Sequence, residues 1–361
     1  VTNAVRWSSF YPVTVQWYSN NIPIIGQMSS NLSLGFNSTQ QFNLHVVLSN
    51  QVGLITSDVA QVSLTLAPGA LDTNFVSTGI FNNQVNALVA LTNGGVLAGG
   101  AFTTIGASNR NYLVEMSTNG AITPWLAHTN GFNGIVNALH RYADGRLLVG
   151  GGFTNLGSSL RYSGIVRLNA DGTLDTTFLG GSASATRHVD DTVFALAVRE
   201  SDGAIAIGGT FTNVAGQTQR GVALLDSNGV FQSAFRPVLT NTGVFSFNIL
   251  ALAFQPDGKL LIGGAFSAVN GRAQINIARL NTDGTTDTNF TATLAVNSSH
   301  VVALLVQPDG RVCLAGSFST VNGQSRSTFA RVQANGSLDP SISGVVGGAF
   351  LARQSGGNII I

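Results

Sequence analysis

The chain has 361 residues, 44% of them hydrophobic and only 9% charged, whereas soluble domains usually carry roughly 25% charged residues. Abundant Val, Leu, Ile and Phe exclude disorder, and 17 basic against 16 acidic residues, a net charge of +1, exclude the strong field that nucleic-acid binding and polybasic membrane attachment require. Lys259 is the sole lysine and Glu115 and Glu200 the sole glutamates, so helix surfaces, which consume both residue types, are not expected and an all-β chain is.

Residues 1–67 alternate apolar and polar side chains between turns, the period of half-buried strands. The runs are WYSNNIPIIGQ at 17–27, NLSL at 31–34 and FNLHVVLSNQVGLITSDVAQVSLTL at 42–66. They resemble a bacterial immunoglobulin-like β-sandwich, which implies that Trp17 is its buried core tryptophan. The segment departs from that pattern in having no cysteine pair and no tyrosine near Phe42 and Leu44, and it reads as lacking its first strand. Residues 68–70, with Pro68-Gly69, are expected to link it to a second module at 71–361, which opens with an isolated strand at 71–75.

From Val85 onward one pattern recurs. It begins with VNALVAL at Val85, VNALHRY at Val136, VFALAVR at Val193, ILALAFQ at Ile249 and VVALLVQ at Val301. Each start meets a turn at Asn93-Gly94, Asp144-Gly145, Asp202-Gly203, Asp257-Gly258 or Asp309-Gly310. A second strand then ends in small residues and a phenylalanine, at Phe102, Phe153, Phe211, Phe266 and Phe318, intervals of 51, 58, 55 and 52 residues. A third strand, a further turn such as Asp171-Gly172 and a short fourth strand such as LDTTF at 174–178 complete the unit. Asp-Gly and Asn-Gly between apolar runs are hairpin signals because these residues accept positive φ, and four-stranded units at this period predict the blades of a β-propeller. The paired glycines that close most second strands predict a bulge or a close backbone approach. Residues 348–361 repeat the beginning of a unit, so the expectation is about six blades: five complete repeats and one composite or truncated.

PDGKLLIGGAFSAVNG at 256–271, IARLNTDGTTDTNF at 277–290 and RLNADGTLDTTF at 167–178 resemble the delta-60 repeat, a β-propeller-type repeat of bacterial surface and extracellular proteins. The resemblance spans about 71–361 and implies an extracellular or cell-surface location, but it carries no catalytic signature to place on this chain. Comparison of the copies adds a pairing of its own. Arg167, Arg279 and Arg331 on third strands are each followed eight residues later by Asp175, Asp287 and Asp339, whereas the other two copies have Glu115 with Thr123 and Leu224 with Gln232. Joint presence or absence predicts cross-strand ion pairs.

Catalytic signatures are missing: the sequence has no G-x-S-x-G, H-E-x-x-H or G-x-x-x-x-G-K-[ST] stretch, and a single cysteine, Cys313, cannot build a thiolate zinc site. No enzyme, cofactor or metal is therefore expected. Residues that the repeat does not explain lie in the connections between units, which should gather on one propeller face: Trp125, His128 and Phe132; Arg187, His188, Asp190 and Asp191; Arg236, Phe245 and Phe247; Asn297 and His300. Of these, Trp125, His128, Arg187, His188, Asp190, Asp191 and His300 are the candidates for ligand binding. The leading expectation is an extracellular structural or adhesive protein, a subunit or segment of a bacterial surface filament that associates head-to-tail by strand addition. The alternative is a carbohydrate-binding module that takes polysaccharide on the variable face. A third reading, a polysaccharide-active enzyme, rests on Asp190 or Asp191 as half of a carboxylate pair. Nucleic-acid partners and a membrane span are not expected.

Overall fold

The computed structural model describes residues 2–4, 12–33, 40–64, 75–76, 79–126, 131–157, 160–181, 189–242, 247–294, 300–342, 350–353 and 359–360. The chain divides into two compact units, Val1–Val76 and Ser77–Ile361. The linker expected at 68–70 lies outside the described residues, as does the strand expected at 71–75 except for Phe75.

In the first unit, β1 (Thr2–Ala4), β2 (Thr14–Ser19), β3 (Ile22–Pro23), β4 (Asn31–Ser33), β5 (Gln40–Asn50), β6 (Gly53–Thr56) and β7 (Ala60–Leu64) are all antiparallel to their partners. β2 and β3 form a hairpin over Asn20 and Asn21, whose φ of 49° and 68° suit a two-residue turn of matching twist. β5 pairs with β2 along one edge and with β6 and β7 along the other. The register slips by one residue between β6 and β7 at Ser57, whose Oγ accepts the Val46 N–H at 3.0 Å. Alternation on β2 turns Val15 and Trp17 inward against Leu44, Val46 and Leu32, and the Trp17 Nε1–H donates to the Ser29 carbonyl at 2.9 Å. A short strand that the sequence did not predict, β1, pairs with β4, Asn3 opposite Leu32. Three residues flanked by the unpatterned stretch VRWSSFYP carry too short an alternation to be read as a strand.

The second unit repeats one antiparallel plan. First strands at Val85–Ala90, Val136–Arg141, Val193–Val198, Asn248–Phe254 and His300–Val306 pair with second strands, which pair with third strands at Leu113–Met116, Ile165–Leu168, Val222–Leu225, Ile277–Leu280 and Phe329–Val332. A two-residue hairpin with its own small ladder joins second to third strand, and the phenylalanine before it, 5% exposed or less in every repeat, anchors the turn in the core. Consecutive first strands lie side by side, and the apolar clusters run from each repeat into the next. A short hairpin, Ala352–Arg353 with Ile359–Ile360, repeats the six-residue spacing of Val306 and Val312.

Two expectations need correcting. The fourth strand survives only in the first repeat, as Ile122–Thr123; in the others it shrinks to single bridges, Leu168 to Leu174, Leu225 to Phe231, Leu280 to Thr286 and Val332 to Leu338. The chain turns directly after the bridge: the Phe178, Phe235 and Phe290 N–H groups return to the carbonyls of Asp175, Gln232 and Asp287, and in three repeats Asp175, Asp287 and Asp339 also accept the backbone N–H two residues on at 2.9 Å, which reinforces the bend. The connections between repeats are also less free than the sequence suggested, because Phe81, Phe132, Val189, Leu239 and Leu294 each pair with the second-to-third hairpin of their own repeat.

Candidate functional site

The paired glycines are packing devices. Each first strand bulges opposite them, as between Val193 and Ala195, and a Cβ on Gly100, Gly151, Gly209, Gly264 or Gly316 would stand 2.0–2.2 Å from a carbonyl oxygen of the bulged strand. A Cβ on the preceding Gly99, Gly150, Gly208 or Gly263 would run into Val136, Val193, Ile249 or Val301 on the next repeat. Both glycines thus press backbone against neighbours, and neither is open to a ligand.

Charge is likewise directed inward. Arg167 Nε donates to Asp175 Oδ2 at 2.7 Å, Arg279 Nε to Asp287 Oδ2 at 2.8 Å and Arg331 Nε to Asp339 Oδ2 at 2.8 Å. Arg167 and Asp175 are 2% and 7% exposed, so this pair is desolvated. Each aspartate has a second cation that sequence reading did not identify: Arg146 at 3.9 Å, Lys259 at 2.8 Å and Arg311 at 3.7 Å. All three stand two residues after the aspartate of the first Asp-Gly turn, and the repeats without the pair have Gly95 and Ala204 there. The signal was in the sequence as a third position varying with the other two. Phe178 and Phe290 lie under the Arg167 and Arg279 guanidinium groups, 4.6 and 5.0 Å from ring centre to Cζ.

These arginines also close the seams between repeats. Arg167 Nη1 donates to the Ser227 carbonyl of the following repeat at 2.6 Å, and Arg279 Nη1 to the equivalent carbonyl of Ala334. In the first repeat, which lacks the arginine, Trp125 takes over: its Nε1–H donates to the Ala170 carbonyl at 2.8 Å, and its own carbonyl would be 2.3 Å from a Cβ on Gly172. The half-buried indole is therefore occupied in structure.

The remaining ligand candidates do not come together as one site. His128, Arg187 and His188 lie outside the described residues, as do Phe245 and Asn297. His300 opens a first strand opposite Ser317, Asp191 Oδ1 caps the Thr192 N–H at 2.7 Å, and Phe247 stacks with Arg220. Asp190 accepts four hydrogen bonds from Thr212 and Asn213, at 2.7–2.9 Å. Asn82 and Asn133 accept the corresponding backbone N–H pairs in the first two repeats, so Asp190 occupies an asparagine position and its carboxylate is saturated. The signal was in the sequence: Asn82, Asn133 and Asp190 each stand three residues before the start of the first strand, at Val85, Val136 and Val193.

The hydrogen-bonded aspartates set the acid response. Burial pushes Asp190 up, but the hydroxyl, amide and backbone donors of Thr212 and Asn213 outweigh it and hold the carboxyl at about 2; the Ser341 hydroxyl and N–H do the same for Asp339, also to about 2. Asp175 and Asp287 are lowered too, burial opposing and Thr177, Arg167 and Lys259 prevailing. Because the folded values lie below the unfolded carboxylate value of roughly 3.9, the stabilisation is complete above that pH and is lost as pH falls through about 2. Asp190→Asn, which copies the other two repeats, is expected to leave the melting temperature at pH 7 nearly unchanged and to raise it relative to wild type at pH 2.5. A scan in which both proteins lose the same stability on acidification would remove Asp190 from this account.

Clefts open among the described residues of the second unit. One of about 240 Å³ is lined by Asn109, Arg110, Asn111, Glu115 and Thr123; one of about 290 Å³ lies beside Leu224, Gln232 and Thr282; another, about 350 Å³, includes Arg236 and Arg272. No group of three or more His, Cys, Asp or Glu side chains among the described residues is placed to hold a metal ion, and no described helix is long and apolar enough to cross a membrane.

Residues 143–178, 200–235, 255–290 and 307–341 match the family described as domain of unknown function (DUF5122) beta-propeller, so these four segments of the second unit are similar to propeller repeats of that family. Among curated proteins none matches the chain. Similar solved structures include a quinonprotein alcohol dehydrogenase-like protein from Bacteroides thetaiotaomicron, 11% identical with a TM-score of 0.39, covering 90% of this chain and 87% of that one. PorZ, a surface component of the type-IX secretion system of Porphyromonas gingivalis, is 11% identical with a TM-score of 0.43, covering 86% of this chain and 39% of its own. Virginiamycin B lyase from Staphylococcus aureus is 10% identical with a TM-score of 0.35, covering 89% of both chains.

Proposed function

We propose that this chain is a structural or adhesive module of a bacterial extracellular or surface assembly, made of an immunoglobulin-like sandwich and a propeller of about six delta-60-type blades. The observation that carries this reading is where the side chains are spent. In the propeller unit Arg167, Arg279 and Arg331 are engaged by buried aspartates, while the first unit leaves an apolar edge bare, with Val52, Leu54, Ile55 and Val59 between 57% and 74% exposed. An edge strand with unpaired backbone groups and apolar side chains on both faces is a template for strand addition from another chain.

Sedimentation of the full chain tests this. Wild type is expected to form concentration-dependent oligomers, and Leu54→Lys with Ile55→Glu on β6 to sediment as a monomer with an unchanged melting temperature. A wild-type monomer at every concentration overturns the reading. One observation favours the second reading, a carbohydrate-binding module: the cleft at Asn109, Asn111 and Glu115 offers the amide and carboxylate groups that bind sugar hydroxyls. A glycan array probed with wild type and Glu115→Ala separates the two.

A further inference from the structure

Between the third and fourth repeats Arg199 Nη1 reaches the Gly258 carbonyl at 3.4 Å, but the donor that closes the other seams at the third-to-fourth turn is missing. At three other seams an N–H donor of one repeat reaches the carbonyl of the second residue in the next repeat's third-to-fourth turn: Trp125 to Ala170, Arg167 to Ser227 and Arg279 to Ala334. The equivalent acceptor in the fourth repeat is the Thr282 carbonyl, and no described residue donates to it. The reason is a substitution in the third repeat, where the arginine position is Leu224, a buried side chain with no donor, and the aspartate position is Gln232. The rest of the cradle is retained. Phe235 stands three residues after Gln232, as Phe178 and Phe290, which lie under guanidinium groups, stand after Asp175 and Asp287. Where the guanidinium would be, there is a cleft of about 290 Å³, a size suited to one side chain rather than to a large ligand.

The charges around this cleft favour a cation. Arg199, the one basic residue lining it, is neutralised by a bidentate pair with Asp202, at 2.9 and 2.6 Å. Asp226 and Asp283 also line the cleft; in each, Oδ1 accepts hydrogen bonds from its own turn and Oδ2 has no partner among the described residues. The two carboxylates therefore face the cleft without a protein cation paired to them among the described residues, beside the Thr282 carbonyl and the Phe235 ring. A planar guanidinium satisfies all of these, because it donates to several acceptors in one plane and stacks by its face, whereas an ammonium is more strongly hydrated and does not stack.

We infer that this cleft binds a guanidinium group from outside the chain, the arginine side chain of a partner polypeptide, which completes the seam as Arg167 and Arg279 complete theirs. The site is separate from the β6 edge and does not depend on strand addition. Titration of the full chain, followed by NMR, with N-acetyl-arginine methylamide is expected to show saturable binding, with the lysine compound about tenfold weaker and the isosteric neutral citrulline compound silent. Methylguanidinium binding as tightly as the arginine compound would assign the site to small free guanidines, leaving the chemistry unchanged. Leu224→Arg with Gln232→Asp, which copies the second and fourth repeats, is expected to abolish binding and raise the melting temperature. Asp226→Asn with Asp283→Asn, which leaves the fold's seams untouched, is expected to weaken binding about tenfold. Equal binding of citrulline and arginine, no saturable binding of the arginine compound, or undiminished binding in either variant overturns the inference.

Discussion

Arg167→Leu is expected to destabilise the protein by about 3 kcal/mol, because it leaves Asp175 buried without its principal cation. Arg146, 3.9 Å from Asp175 and partly exposed, compensates only in part. The same change strips the Ser227 carbonyl of its donor and Phe178 of the overlying guanidinium, so it loosens the seam between the second and third repeats as well as the blade. Arg167→Leu with Asp175→Leu should lose about half as much, since two apolar side chains of similar size need no partner in that position. Urea denaturation followed by circular dichroism checks both. If the double variant loses as much as the sum of the singles, the two residues are not energetically coupled and the pair is an accident of geometry.

Gly209→Ala should be as damaging, about 3 kcal/mol, for a different reason. The bulge between Val193 and Ala195 drives the Thr192 carbonyl across the second strand, so that an added methyl would sit 2.0 Å from that oxygen and 3.1 Å from Val193 Cα. Both neighbours are backbone in the sheet, and no rotamer relieves the clash. Gly208→Ala provides the contrast: its methyl meets a side-chain atom, Ile249 Cγ2 at 2.7 Å, so Gly208→Ala with Ile249→Ala should lose less than the sum of the two single changes, a coupling that no side-chain change can give Gly209→Ala. Gly271→Ala, at φ +74° in open space, should lose only about 1 kcal/mol from backbone strain. Melting temperatures of the four variants decide whether close approach or mere flexibility accounts for the glycines: equal losses at Gly209 and Gly271 would favour flexibility.

What the amino-acid sequence determined by itself was whatever is settled within a few residues or by repetition. The first turns of the five repeats place Gly94, Gly145, Gly203, Gly258 and Gly310 at φ of 73–90°, which is why Asn-Gly and Asp-Gly marked the hairpins correctly. The eight-residue spacing of Arg167 and Asp175, and of the two other pairs, was legible because both partners face one another across neighbouring strand segments and were lost together in two copies. That Trp17 is buried was implied by the resemblance of its strand to an immunoglobulin-like module, and the short β1 was not foreseen, because three residues carry no period. Only the tertiary structure decided what crosses from one repeat to another: that Arg167 and Arg279 finish on carbonyls of the following repeat, that Trp125 substitutes for an arginine at the first seam, that the first glycine of each pair makes room for Val136, Val193, Ile249 or Val301, and that the third seam is left open beside Leu224. The position of Asp190 was legible as the counterpart of Asn82 and Asn133, three residues before the first strand, but the hairpin N–H groups that all three accept, 21–23 residues on, show only in space. The physical reason is that turn preference and strand alternation are local properties of the chain. The acceptor at the end of a side chain 45–60 residues away, as at these seams, depends on how one packed sheet is set against the next.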